Sequence, residues 1–318
     1  MKVSPTSLLG VDASDEGIAK AADVLANGGL AAFPSETVYG LGADARRSDA
    51  VKKIYAAKGR PSFNPLIVHV PSLEAATEFV ILSPLAQRLA EAFWPGPLTL
   101  VLPLRPDSGI APEVSAGLST LAIRVPAHPI ARALLERFGG PIAAPSANPS
   151  GRISPTSARH VAEGLGPKVD IIVDGGACDV GVESTILAVT PAPVVLRDGG
   201  LSREALEAVL ATPLEDHVDS QTAPSSPGQL LSHYAPRAKV RLNATAPDPG
   251  EVYLGFGPGP ADLNLSPSGN LEEAAARLFD YLHQLDAQEA PIAVAPIPTT
   301  GLGRAINDRL KRAAAPRD

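Results

Sequence analysis

The chain of 318 residues exceeds a usual single domain, and with 45% hydrophobic and 19% charged residues it has room for one large core and a smaller second one. Its formal charge of -7 argues against a surface coated in basic residues for nonspecific nucleic-acid binding, so any anion site must be focal. No apolar run approaches the roughly 18–20 residues of a membrane span, and the single cysteine, Cys178, excludes an internal disulfide and a cysteine-rich zinc site. The opening MKVSPTSLLGVDASDEG turns acidic where a secretion signal would continue apolar, so a cytoplasmic protein is expected. The 33 prolines and 28 glycines fall mostly between apolar runs and read as punctuation, and no internal repeat is visible.

In chain order, Asp15 to Asn27 has helical spacing and stops at Gly28-Gly29, before a short strand over Leu30 to Phe33. A helix from about Ser48 to Ala57, a strand at PLIVHV (65–70), a helix from about Pro84 to Phe93 and a strand at LTLVLP (98–103) continue the alternation. Further strands are expected at LAIRV (121–125), PIAA (141–144), DIIVD (170–174), STILAV (184–189) and PVVLR (193–197). The last three lie too close together for crossover helices, so part of the sheet must be antiparallel and the fold is a mixed α/β or α+β sheet. After a helix over Ser202 to Leu210, the stretch ATPLEDHVDSQTAPSSPGQ loses periodicity and reads as a linker. Strands at KVRLNA (239–244), EVYLGFG (251–257) and PIAVAPIP (291–298) then alternate with helices from Leu271 to about Ala287 and from about Gly303, which suits a small, mainly parallel α/β domain.

Five loop segments carry candidate chemistry. PSETVYGLGADA (34–45) places Ser35, Glu36 and Thr37 after a strand and before a glycine-rich turn. In KKIYAAKGRPSFNPLIVHV (52–70), Lys58 and Arg60 leave a helix end, and Asn64 and His69 flank or lie on the next strand. Residues 46–60 hold Arg46, Arg47, Lys52, Lys53, Lys58 and Arg60 against Asp49 alone, a focus of positive charge that a triphosphate could use. STLAIRVPAHP (119–129) puts Arg124 inside an apolar strand, where it must find either a buried salt bridge or a ligand anion. APSANPSGRISPTSARHV crowds Ser146, Asn148, Ser150, Ser154 and Thr156 before a helix that Ser154 or Thr156 could cap. VESTI (182–186) with LRDGG (196–200) supplies Ser184, Thr185 and Arg197.

SETVYGLG, KGRP with NPLIVHV, WPGPLTLVL, RVP, APSAN and HYAP occur in an order and spacing that resembles the YrdC-like family. PGQLLSHYAP (227–236) followed by a small α/β domain resembles its long form, the threonylcarbamoyl-AMP synthases; departures are Ser35, where the family often has Thr, and Gln229, where it often has Met. The resemblance covers nearly the whole chain and implies a YrdC-type catalytic domain over 1–210, a linker or lid over 211–238 containing HYAP, and a small Rossmann-like parallel α/β domain over 239–318. It implies a nucleotidyltransferase that makes L-threonylcarbamoyl-AMP and pyrophosphate from L-threonine, bicarbonate and ATP, with Mg²⁺, and passes the adenylate to a separate tRNA-modifying transferase. Carried over by position, Thr37, His69, Arg124 and Ser184 surround threonine, with Arg124 on its carboxylate and Ser146 between the substrates. Arg60, Asn64, Thr120, Asn148, Thr156, Arg197 and Tyr234 contact ATP, with Lys58 added as a charge neighbour; Lys58 and Arg60 are assigned stabilisation of the phosphates, and no residue is assigned as nucleophile. No protein metal ligand is assigned, and direct tRNA binding is left open.

Other classes fit less well. There is no G-x-x-x-x-G-K-[ST] loop, GFGPGP (255–260) only loosely echoes a dinucleotide fingerprint, and Ser146 sits in APSAN and not in a nucleophile elbow. The histidines show no H-x-x-x-H pair, and Cys178 reads as an inert small residue. The alternatives are an RNA-binding module, with Lys58, Arg60, Arg124 and Arg197 lining a groove, and a carbamoyl-AMP synthase, whose cysteine-rich and acylphosphatase segments this chain lacks. The linker is expected to be mobile in its first part and to close over ATP through Tyr234.

Overall fold

Short polar side chains set where the helices start. In the computed structural model, which describes residues 10–216 and 233–316, Ser14, Ser83 and Ser202 each accept a backbone N–H from the first turn of the helix that follows. The first unit runs β1 (Gly10–Asp12), α1 (Asp15–Ala26), β2 (Ala31–Phe33), β3 (Gly40–Asp44), α2 (Ser48–Lys58), β4 (Ile67–His69), α3 (Leu73–Ala76), α4 (Pro84–Phe93) and β5 (Leu98–Pro103). It continues with α5 (Pro112–Ser115), β6 (Thr120–Arg124), α6 (Pro129–Phe138), β7 (Ile142–Ala143), α7 (Ala158–Gly164), β8 (Ile171–Asp174), β9 (Thr185–Ala188), β10 (Val194–Arg197), α8 (Arg203–Leu210) and β11 (Glu215–Asp216). The second unit is β12 (Val240–Arg241), β13 (Val252–Gly255), β14 (Leu263–Asn264), α9 (Leu271–Asp286), β15 (Ile292–Val294) and α10 (Gly303–Ala314). Residues 217–232 of the expected linker (211–238) lie outside the described residues.

The large sheet has the order β1-β8-β2-β3-β7-β4-β6-β5-β9-β10-β11 and mixes parallel with antiparallel pairs, as the spacing of the late strands required. The small sheet, β12-β15-β13-β14, is parallel throughout. Three features depart from the sequence reading. The glycine-rich "turn" at 40–44 is β3, antiparallel to both β2 and β7, and Gly42 allows it: a Cβ there would meet Phe33 at 2.8 Å and Ile142 at 2.9 Å. Helix α6 has no counterpart in the sequence reading; Pro129 occupies its first turn, where it lacks no needed N–H, and His128 Nδ1 accepts from Ile130 N at 3.3 Å. The cap of α7 is Ser157, not Ser154 or Thr156, which turn inward to Glu183 and His160. Beyond these, β11 carries the large sheet past residue 210 to Asp216.

One core cluster crosses between the units. Helix α9 buries Ala274, Ala275, Leu278, Phe279, Leu282 and Leu285, and this face packs with Val38, Ile153 and Val182 of the first unit and with Tyr234 of HYAP. HYAP therefore lies at the seam, its Ala235 N–H bonded to Gly151 O at 2.8 Å. Among the described residues, no helix is long and apolar enough to cross a membrane.

The α1–α6 face offers a check on packing. Leu134 of α6 is fully buried with Ile18, Ala21 and Leu25 of α1. Leu134→Ala is expected to lower stability by about 2–5 kcal/mol, read from the urea midpoint at unchanged slope. A loss under about 1 kcal/mol would show that this face is not part of the working core.

Candidate active site

Sheet register brings the first polar cluster together. Strands β4 and β6 run parallel with His69 beside Arg124, so both side chains end at the same edge of the sheet. SETVYGLG and APSAN are zipped side by side there, with Leu41 N–H on Pro145 O and Ala147 N–H on Tyr39 O, both at 2.8 Å. Arg124 is only 3% exposed and is held on three sides: Nε donates to Gly96 O at 3.1 Å, Nη1 to Thr37 Oγ1 at 2.9 Å and Nη2 to Glu36 Oε1 at 2.6 Å. The salt bridge and the ligand reading of Arg124 are thus compatible, since a guanidinium has five N–H donors and these bonds use three. Burial pushes the Glu36 carboxyl up, but the charge and hydrogen bond of Arg124 outweigh it and hold Glu36 ionised. His69 is pushed down to about 3 by burial and then by Arg124, so it is neutral near pH 7, and its Nδ1 has no hydrogen-bond partner among the described residues.

The same cavity continues past Ser146 and Ser184 to a second pair of arginines, Arg60 and Arg197. Arg60 donates through Nε to Asn64 O at 3.2 Å and through Nη2 to Pro65 O at 2.9 Å; burial lowers it to about 10, which leaves it charged at neutral pH. Arg197 donates to Ser184 O at 2.9 Å and to Ser184 Oγ at 3.2 Å, and Ser184 Oγ lies 2.7 Å from Thr99 Oγ1. His233 and Tyr234 close this end, their rings edge to face at 4.1 Å. Tyr234 has φ +60, and its buried hydroxyl is without a partner among the described residues. It both lines the cavity and stacks on Phe279 of α9, so packing between the units and a site role coexist in one side chain.

Of the residues singled out from sequence, Ser35, Thr37, His69, Arg124, Ser146, Ser184, Arg60, Arg197, His233 and Tyr234 line this one cavity. The others do not. Lys58 gives its buried ammonium to the carbonyls of Ser146 and Asn148, and so braces APSAN from behind instead of facing the cavity. The apparent focus of charge over 46–60 is likewise dispersed: Arg46 pairs with Asp44, Arg47 with Asp49 and Lys52 with Glu113, while Lys53 donates to Gly28 O. Thr156 turns to His160, and Thr120 starts β6 opposite Pro103, at the far end of the strand from Arg124. Asn64 and Asn148 are buried and do not line the cavity, and both side-chain atoms of Asn64 and Oδ1 of Asn148 are unpartnered among the described residues.

One cavity residue, Glu183, and its buried partner, Arg309, escaped the sequence reading. Burial acts to raise Glu183, but Arg309 and Arg197 hold it ionised. Arg309 could have been found, since it sits on the apolar stripe of α10 between Ile306 and Ala313. Glu183, the carboxylate that lines the cavity, is committed to Arg309, and Glu36 to Arg124. No group of three or more His, Cys, Asp or Glu among the described residues is placed to hold a metal ion. Burial pushes the Cys178 thiol up to about 12, which suits an inert residue.

Residues 23–199 match the Sua5–YciO–YrdC family, described as telomere recombination, and residues 201–315 match the C-terminal domain of threonylcarbamoyl-AMP synthase. The chain is 44% identical over 328 residues to the threonylcarbamoyl-AMP synthase of Bacillus subtilis (strain 168), covering 96% of this chain and 94% of that protein. It is 42% identical over 319 residues to the threonylcarbamoyl-AMP synthase of Pyrococcus abyssi, covering 92% and 93%. The crystal structure of P. abyssi Sua5 complexed with L-threonine superposes with a TM-score of 0.88 at 40% identity, over 97% of this chain and 98% of that one.

Buried neutral histidines make stability depend on pH. His69 is lowered to about 3 and His160, by burial and then by its stacked neighbour His283, to about 4, both from 6.5. The unfolded chain protonates them first as pH falls. Stability is therefore full above about pH 6.5 and falls below it by up to about 1.4 kcal/mol per pH unit for each group. Thermal melts from pH 7.5 to 4.5 should show this fall, and it should be shallower in His160→Asn. Equal slopes in the two proteins would remove His160 as a cause.

Proposed function

The chain belongs to the Sua5–YciO–YrdC family, in the form that carries the threonylcarbamoyl-AMP synthase C-terminal domain, and we propose that it joins L-threonine, bicarbonate and ATP into L-threonylcarbamoyl-AMP, releasing pyrophosphate. The observation that carries this reading is one cavity lined by three buried arginines, Arg124 beside His69 and Thr37, and Arg60 with Arg197 beside His233 and Tyr234. Two anions can thus be held facing each other. In this reading the two remaining donors of Arg124 take the threonine carboxylate, and Glu36 keeps the guanidinium aimed while Thr37, Ser184 and neutral His69 meet the amine and hydroxyl. The amine and bicarbonate condense to a carbamate with loss of water. A carbamate oxygen then attacks the α-phosphorus, and the bond to the bridging oxygen breaks as pyrophosphate leaves. Such a step needs positioning and cationic stabilisation of phosphate charge, which Arg60 and Arg197 supply, and no side-chain nucleophile.

Mg²⁺ would enter this scheme with ATP and offset phosphate charge; the carboxylate that lines the cavity, Glu183, is already bound to Arg309, as Glu36 is to Arg124, so neither is proposed to hold the ion. Asn64, Asn148 and Tyr234, with unpartnered buried polar atoms, are the proposed further contacts to the nucleotide. Transfer of the adenylate's threonylcarbamoyl group to tRNA falls to a separate enzyme, and the cytoplasm is the proposed setting. An RNA groove is disfavoured because Arg60, Arg124 and Arg197 are at most 8% exposed and so offer nothing to a polyanion at the surface.

Pyrophosphate release should require ATP, threonine and bicarbonate together. It should favour threonine over serine through a β-methyl contact worth about 1 kcal/mol; equal rates with alanine would sink the assignment. Arg124→Ala should raise KM for threonine, and Arg60→Ala KM for ATP, each by about tenfold or more. Equal effects of both variants on both substrates would show that the two ends are not divided in this way. Tyr234→Ala should lower the yield of adenylate and raise AMP formation by hydrolysis, since the strap excludes water. Full coupling in that variant, measured as adenylate formed per pyrophosphate, would rule the strap out.

A further inference from the structure

The second unit contributes more than packing. Arg309, on α10, is fully buried, and its Nε donates to Glu183 Oε2 at 2.8 Å while Ser154 Oγ donates to Glu183 Oε1 at 2.5 Å. Its guanidinium carbon also lies 5.0 Å from the centroid of the Tyr234 ring, whose plane is stacked on Phe279 of α9 at 5.6 Å and 28°. One turn further along α10, Arg312 O accepts the backbone N–H of His233 at 3.4 Å. Glu183, His233 and Tyr234 all line the cavity, and Arg309 does not. Any effect it has on the reaction must pass through them.

Two constraints show why such a fastening is needed. Tyr234 adopts φ +60, a conformation costly for a bulky side chain, so the surrounding structure must hold it. Glu183 is a buried anion whose orientation is set by its partners, because an isolated buried carboxylate would neutralise. A planar guanidinium meets both demands at once, with an edge for the carboxylate and a face for the ring; an ammonium offers neither plane. Docking of the second unit is equally exacting at Gly181, two residues from Glu183. A Cβ there would lie 2.3 Å from Ala275 O of α9, so only glycine lets that helix seat.

We infer that Arg309 is a positioning residue for the nucleotide end of the active site: it sets Glu183 and Tyr234 in one geometry and makes that geometry conditional on docking of the second unit. The inference deepens the proposed synthesis and rests on it. In Arg309→Met, of similar length and no charge, KM for ATP should rise about tenfold with KM for threonine unchanged, since Arg124 and its partners are untouched. The amides of His233 and Ala235 should exchange hydrogen faster in the same variant. Arg309→Lys should restore the melting temperature by keeping a cation beside Glu183, yet keep the raised KM for ATP, which separates orientation from charge. If Arg309→Met fails to fold, Arg309→Lys decides alone. Wild-type KM for ATP and wild-type exchange at His233 and Ala235 in Arg309→Lys would overturn the inference, as would equal rises in both KM values. The exchange measurement needs no turnover, so wild-type protein that releases no pyrophosphate would defeat the proposed synthesis while leaving the fastening of the strap to be read independently.

Discussion

A guanidinium taken out of water must be met by anions or carbonyl oxygens, and four arginines impose that demand around a single cavity. Arg124 is met by Glu36, Thr37 and Gly96, Arg60 by the carbonyls of Asn64 and Pro65, Arg197 by Ser184, and Arg309 by Glu183. Arg60 and Arg197 find their partners within 13 residues, but Thr37 and Glu36 lie 87–88 residues from Arg124 and Glu183 lies 126 from Arg309, so satisfying these two folds SETVYGLG against RVP and α10 against VESTI. Two features follow. The carboxylates that stabilise the cations are used up by them, and the donors that remain point the site toward anionic ligands. An acidic protein thereby keeps a cationic interior without a basic surface.

The two sheets are separate, but the core that joins them is not. Val38, Ile153 and Val182 of the first unit share a cluster with the helices of the second, and Tyr234 sits inside that cluster while facing the cavity. The strap is thus clamped from both sides, by Gly151 of the first unit and by α9 and α10 of the second. Movement of HYAP and movement of the second unit are therefore linked by contact.

Chemically, the site is built for placement. His69 is kept neutral by burial, and the hydroxyls of Ser35 and Ser184 are bonded to neighbouring hydroxyls, a carbonyl and Arg197 and not to a base. What is pre-arranged is a line of donors from Arg124 to Arg60 and Arg197. This is the form expected when substrates supply their own nucleophile and leaving group, and the protein's share is orientation and charge.

The sequence by itself determined the mixed sheet followed by a small parallel unit, most helix positions, and the family motifs with the arginines that stand on them. Periodicity, caps and a lone arginine in LAIRV are local signals, and local signals survive without coordinates. It took β3 for a turn and passed over α6, because a glycine-rich run lacks strand side chains until Phe33 is seen to cover Gly42, and α6 opens on a proline that sits in its first turn. Only the tertiary structure decided which charges face the cavity. Lys58 and Arg60, two residues apart, diverge, one to the carbonyls behind APSAN and one to the cavity wall, and Arg309 reaches Glu183 across 126 residues. Partner choice for a buried charge depends on which distant chain segment supplies an anion within about 3 Å, and no spacing along the sequence encodes that.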